Sequence, residues 1–155
     1  MRMSDFVVRE AIVPELQETT QEGVIREMIQ SLHSAGYFRA TEIEEVIRAV
    51  LRREALGSTG IGRCVAIPHT KHACVERLIG TVGLSVEGVD FNSLDGERVH
   101  VFVLLTSPQD RPTDHLRALE NVSRRLRDDE FVNQLRQGKS QDEIWALLTD
   151  AEENN

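Results

Sequence analysis

Residues 99–106, Val-His-Val-Phe-Val-Leu-Leu-Thr, are apolar on both of their alternating faces. Side chains one apart on a strand point to opposite sides, so a strand of this composition has to be covered from above and below. It belongs in the middle of a sheet with helices packed on each face. Residues 78–87 alternate instead, which places Val82, Leu84 and Val86 against a core and Thr81, Gly83 and Ser85 opposite. Asp95-Gly96 is the sharpest turn signal in the connection between the two strands. His100, at the start of the apolar strand, reads as a satisfied strand-end histidine.

The helices are legible from their starts. Thr19-Thr20-Gln21-Glu22 is a capping box in which Thr19 accepts from the backbone and Glu22 reaches back, and Ile25, Met28, Ile29 and Leu32 follow at helical spacing to an end near Ala35-Gly36. His33 falls in the last turn, where a cation suits the helix dipole. Thr41 to Glu44 repeats the capping logic, with Ile43, Val46, Ile47, Val50 and Leu51 as the buried stripe and Gly57 as the stop. Arg53 leans toward that stripe while Arg52 follows the outer face. A guanidinium cannot deprotonate to escape burial, so an inward arginine calls for a partner; otherwise it complements the dipole at the helix end.

Farther on, Ser107 to Asp114 is a loop held between two prolines, and Thr113 or Asp114 can cap a helix beginning at His115, with Leu116, Leu119, Val122 and Leu126 buried. Two shorter helices are expected, one from Asp129 through Phe131, Val132 and Leu135 to Gly138. The other is capped by Ser140 with Glu143 and buries Ile144, Leu147 and Leu148. Residues 5–18 read as an edge strand or extended lead-in, and Ala151 to Asn155 as a frayed tail.

A chain of 155 residues, 40% hydrophobic with formal net charge -8, fits a single domain over residues 1–155 with its core at about 5–150. The acidic balance argues against nucleic acid or an anionic membrane as partner, since both select a surplus of Lys and Arg. Without a secretory segment or a bilayer-length apolar run, the cytoplasm is the expected location, with no direct membrane insertion. The two cysteines, Cys64 and Cys74, form no CxxC pair and read as small buried groups in a reducing compartment. Cys64, His69, His72 and Cys74 could be proposed as a zinc site, but the spacing matches no common finger and Cys64 and His69 have opposite parity on a strand.

The chemistry concentrates around Gly60-Ile61-Gly62-Arg63-Cys64-Val65-Ala66-Ile67-Pro68-His69. A glycine-punctuated turn leads into an apolar run in which Val65 and Ile67 share one face, and Cys64 and Ala66 the other. Pro68, with no N–H for a ladder, should end the strand and leave His69 at a strand-to-loop boundary. His115, at a helix start, lies beside unpaired backbone N–H groups that favour anions. A presented imidazole, a second imidazole and an inward guanidinium suit a phosphoryl group. The first supplies a nucleophilic nitrogen near pH 7, and the others stabilise charged oxygens.

Arg53-Glu54, Ser58-Thr59-Gly60-Ile61-Gly62, Ala66-Ile67-Pro68-His69 and His115-Leu116 together resemble the phosphorylation-site pattern of the type-2 enzyme IIA domain of the bacterial phosphoenolpyruvate-dependent phosphotransferase system. That family includes mannitol and fructose components and the nitrogen-regulatory protein, and the resemblance runs from about Asp5 to about Asp150. It implies an α/β fold, a mixed β-sheet flanked by helices on both faces. It also implies that His69 is the phosphoryl acceptor, His115 the assisting histidine and Arg53 the phosphate-stabilising residue, with no metal or organic cofactor. The donor would be a phosphorylated HPr-type phosphocarrier, and the receiver a regulated protein or a sugar-permease IIB component. Such a chain is a transiently phosphorylated carrier rather than a free-standing turnover enzyme. A lone domain without a fused membrane component favours the nitrogen-regulatory branch; a stand-alone fructose- or mannitol-type component is the nearest alternative, and a binding module without the chemistry is a third reading. Thr70 departs from the Gly or Ala usual after the histidine, and Arg63-Cys64 from the smaller residues usual there. Thr70 and Lys71 read as a solvated loop, although both could reach a phosphoryl group.

Overall fold

The computed structural model describes residues 1–153, with side chains through Asp150. The doubly apolar stretch is the central strand, β5 (Val99–Pro108). Of the strands that precede it, β4 (Ile79–Val89) runs antiparallel along one edge. Along the other edge run β2 (Val65–Ala66) and β3 (His69–His72), both parallel to β5, with Val65 opposite Val101 and His69 opposite Leu105. The register is the same in both, so they are one strand interrupted at Pro68. The proline removes one ladder donor, while its carbonyl still accepts from Leu105 N at 3.0 Å. β1 (Gly60–Gly62) folds back antiparallel on β2. The N-terminal segment is an extended strap, tied to β4 by single bridges at Val7–Gly80 and Val13–Gly83.

Helices cover both faces, as the composition of β5 requires. Phe102 and Leu104 point into the layer of α1 (Gln21–Ser34) and α2 (Ile43–Leu56), where Met28, Ile29, Ile47 and Val50 are fully buried. Val101, Val103 and Leu105 point the other way, against α3 (Pro112–Leu126), α4 (Asp129–Arg136) and α5 (Gln141–Glu153). Each such side chain contributes about 1.5–3 kcal/mol on burial, which makes β5 the strand that both cores share.

Local departures from the expected pattern have physical causes. Thr20 rather than Thr19 caps α1, its Oγ1 accepting from Gly23 N at 3.0 Å. α2 starts at Ile43 without a Thr41 cap, because Glu44 turns outward to pair with Arg26 on α1. α3 begins at Pro112, not His115, and neither Thr113 nor Asp114 caps it; a proline in the first turn has the helical φ and no N–H to satisfy. The buried stripe runs through His115, Ala118, Val122 and Leu126, and Leu116 is 57% exposed. Val86 is 77% exposed because a bulge follows Leu84, where Gly88 adopts φ +85° and gives its N–H to Ser85 Oγ.

The expected glycine-punctuated turn is itself strand β1, and Cys64, expected on the apolar run, forms with Arg63 the turn of a hairpin between β1 and β2, both at positive φ, 65° and 57°. Two consecutive residues in that region make the tight two-residue hairpin turn, which accounts for the preference for smaller residues there. Arg63 is held by its N–H to Asp95 Oδ2 at 2.9 Å and by an ion pair with Asp129 at 2.6 Å. Cys64 and Cys74 are free and half-buried rather than enclosed. Ser140 and Glu143 cap α5 as expected. Of the tail expected to fray, residues 151–153 continue α5, and Asn154 and Asn155 lie outside the described residues.

Thr20→Ala should destabilise the protein by about 1 kcal/mol, and Thr19→Ala by much less, in paired urea unfolding curves.

Candidate active site

His69 is the first residue of β3, not a residue beyond the end of a strand. Its parity with Val65 and Ile67 sends its side chain to the face covered by α3, where His115 projects from the first turns of that helix. The two rings lie with centroids 5.4 Å apart, tilted by 52°. His69 Nδ1 lies 2.6 Å from the Ile67 carbonyl oxygen. A carbonyl only accepts, so Nδ1 carries the proton and Nε2 is left with the free lone pair. His115 Nδ1 pairs at 2.6 Å with the hydroxyl of Ser107, itself fully buried. Ser107 lies on β5, which extends through Pro108 instead of giving way to a loop at residue 107. Its parity with Val103 and Leu105, visible in the sequence, puts it on the face of the sheet that carries the histidines.

Arg53 approaches from the last turn of α2, not turned into the buried stripe as its spacing from Val46 and Val50 predicts, because Glu54 takes that place. Arg53 Nη1 donates to the Gly57 carbonyl at 2.8 Å, which fixes the guanidinium at the helix end while leaving it half-buried. Burial, with the charges of Arg53 and Lys71, holds the His69 imidazole below its ordinary pKa against the opposing bond to Ile67. His115 is pushed down to about 4, first by burial and then by the charges of His69 and Lys71. Both rings are therefore neutral at pH 7. Lys71 shares the odd parity of His69 on β3 and is exposed, whereas Thr70 is buried on the opposite face. Neither belongs to a solvated loop.

A hydrogen-bond chain supports His69 from behind. Glu54, buried on α2, accepts from Gln21 Nε2 at 3.0 Å, from Thr59 N at 3.2 Å and from the Thr59 hydroxyl. Thr59 O accepts from Ile67 N at 3.0 Å, and Ile67 O accepts from His69 Nδ1. Glu54 was visible in the sequence as the continuation of the stripe at Val46, Ile47 and Val50. Burial raises its pKa, against the Thr59 bonds and the Arg53 charge that lower it.

Other histidines and thiols stand apart. His33 and His100 bond the Phe38 and Ser85 carbonyls at 3.0 and 2.9 Å. The quartet Cys64, His69, His72 and Cys74 is not gathered: the Cys64 carbonyl accepts from His100 and Val101 at the start of β5, whereas His69 lies opposite Leu105.

The family described as "Phosphoenolpyruvate-dependent sugar phosphotransferase system, EIIA 2" matches residues 5–151. A nitrogen regulatory protein of Bradyrhizobium diazoefficiens is 32% identical over 148 residues, covering 96% of this chain and 95% of that protein. The fructose-specific EIIABC component of Bacillus subtilis is also 32% identical over 148 residues, but the chain spans only 23% of its length. The crystal structure of nitrogen regulatory protein IIA-Ntr from Neisseria meningitidis superposes with a TM-score of 0.84 at 25% identity, over 94% of this chain and 98% of that one.

A ring held neutral in the native state binds fewer protons than the unfolded chain once pH drops below about 6.5. The stability contributed by neutral His115 is therefore complete above pH 6.5 and should be lost as pH falls toward 4. Chemical denaturation from pH 7.5 to 4.5 should show that loss, and His115→Gln should lose measurably less.

Proposed function

The chain belongs to the type-2 enzyme IIA family of the phosphoenolpyruvate-dependent phosphotransferase system, and on that premise we propose that it is a phosphoryl carrier of the nitrogen-regulatory kind, acting as one domain. The observation that carries this reading is the imidazole pair, with His69 Nδ1 tied to a carbonyl and Nε2 free beside His115. The donor is a phosphorylated HPr-type phosphocarrier. Its N–P bond breaks as a bond forms between phosphorus and His69 Nε2, and the electron pair returns to the donor imidazole. Nδ1–H stays hydrogen-bonded to the Ile67 carbonyl, whose negative oxygen stabilises the positive charge that develops across the ring.

Transfer of this kind asks for positioning and charge stabilisation more than for covalent chemistry. Arg53 supplies a forked cation, and Lys71 a point charge. When the Ser107 hydroxyl donates to His115 Nδ1, Nε2–H of His115 becomes a donor to a phosphoryl oxygen. The acceptor needs no metal or organic cofactor, and it is a stoichiometric carrier rather than a turnover enzyme.

The receiver is a protein whose activity depends on the carrier's phosphorylation state. A fructose- or mannitol-type role, with a IIB component as receiver, is the second reading, favoured by the equal identity to the Bacillus fructose component. The nitrogen-regulatory reading takes precedence because the Neisseria IIA-Ntr structure superposes on the chain with a TM-score of 0.84. Taking phosphate from such a donor, the carrier acts in the cytoplasm. No helix among the described residues is long and apolar enough to cross a membrane.

Incubation with enzyme I, HPr and labelled phosphoenolpyruvate should give one acid-labile phosphate on His69. His69→Ala should remove it with the fold intact; label on another residue overturns the assignment, and no label beside a working control acceptor leaves a binding module. His115→Ala should slow transfer by about a hundredfold, the usual cost of one lost donor to transition-state oxygens. Arg53→Lys should be impaired less than Arg53→Ala.

A further inference from the structure

On the opposite face of the sheet from the histidine pair, the end of β3 meets the first turn of α2. There His72, Cys74 and Glu45 bring one ligand-capable atom each within 4.8 Å of one another. We propose that these three residues form a binding site for a divalent metal ion of the zinc type. Nothing in the phosphocarrier reading uses them.

The donor set decides the class of ion. A thiol, an imidazole and a carboxylate select a borderline ion such as Zn²⁺ or Co²⁺, whereas Mg²⁺ and Ca²⁺ select oxygen alone. Ligand atoms around tetrahedral zinc stand about 3.3–3.8 Å apart, from bond lengths near 2.0–2.3 Å. Cys74 Sγ already stands 3.3 Å from Glu45 Oε2, to which it donates. Closing the remaining gap takes rotation of His72, whose Nδ1 accepts from Cys74 N at 3.0 Å. The metal takes that nitrogen, and the Cys74 N–H turns to solvent. Glu42, three residues before Glu45 in sequence, places a second carboxylate against the same thiol, so the thiol lies among negative charge. A fourth coordination position falls to Glu42 or to water. The neighbouring cleft of about 380 Å³, lined in part by Glu42 and Cys74, has room for the latter.

Binding replaces the thiol proton by the metal and releases that proton to solvent. The ion would clamp the start of α2 to the end of β3. Those are the elements that carry Arg53 and His69, so metal occupancy would stiffen the frame of the phosphoryl site without touching it.

Chelator-stripped, reduced protein should be titrated with Co²⁺, with no phosphoryl donor present. One Co²⁺ per chain is expected, with a near-ultraviolet sulfur-to-cobalt charge-transfer band, and Zn²⁺ should displace it and raise Tm. Cys74→Ser should remove the band, and His72→Gln or Glu45→Gln should each weaken binding at least about tenfold. Circular dichroism of Cys74→Ser separates loss of the site from loss of the fold. The site is overturned if micromolar Co²⁺ is not taken up or the band survives in Cys74→Ser. It is equally overturned if Cys64→Ser or His69→Ala, rather than Cys74→Ser, abolishes uptake, since the ion would then sit on the other thiol or on the imidazole pair.

Discussion

The parallel pairing of residues 65–72 with β5 is the constraint on which the rest of the molecule depends. A slip of one residue would exchange the faces of every side chain on that strand, sending His69 away from His115 and Thr70 toward it. The slip is opposed on both sides at once. Val65 and Ile67 are committed to the core under α3–α5, and Ala66 to the core under α1 and α2. A strand packed on one face only would resist it with half as many contacts. Pro68 removes one ladder donor, yet its carbonyl still accepts from Leu105 N and the register is unchanged on either side.

That alignment creates an electrostatic tension in the site. Two imidazoles with centroids 5.4 Å apart could both be charged only against a repulsion of about 3 kcal/mol at an effective dielectric constant near 20. Burial acts in the same direction and more strongly on both rings, while Arg53 and Lys71 add positive potential at His69. A pocket that rejects its own cations is suited to an incoming anion. A dianionic phosphoryl group would reverse the sign of the local field and give the guanidinium, the ammonium and a ring N–H something to bind. The acidic chain as a whole carries a formal net charge of -8, so this positive potential is a local property of β3 and the end of α2.

Much of this was legible in the sequence because a few signals depend only on periodicity. The two-sided apolarity of residues 99–106 required helices on both faces, and the parity of His69 with Val65 and Ile67 fixed its side of the sheet. Ser140 with Glu143 marked a helix start that the backbone adopts. The errors came where tertiary contacts or proline moved a boundary by a few residues. Pro112 started α3 three residues ahead of His115, and His115, seven residues before the buried Val122, faces the core while Leu116 is exposed. Glu44 went to Arg26 instead of back to Thr41, an interaction between helices that no local pattern encodes. Val86 followed the strand period faithfully but lay beyond a bulge. Ser107 was hidden because a proline on either side of a polar stretch reads as a loop, although β5 runs on to Pro108.

The adjacency of Arg53 and Glu54 has its own logic. Neighbours on a helix point about 100° apart, so one turn at the end of α2 can serve two environments. Glu54 continues the buried stripe and turns inward, where its carboxylate gathers Thr59 and Gln21. Arg53 turns toward the site, anchored by the Gly57 carbonyl. The inward residue fixes the loop that fixes Ile67, and Ile67 holds the proton on His69 Nδ1. The outward residue supplies charge to the nitrogen thus left free. Exchanging the two would bury a guanidinium among the α1–α2 apolar layer and aim a carboxylate at an anionic group, with a penalty at each position. The order of this pair is therefore set by the direction in which the helix faces its sheet, and the same turn that closes the core fixes the tautomer of His69.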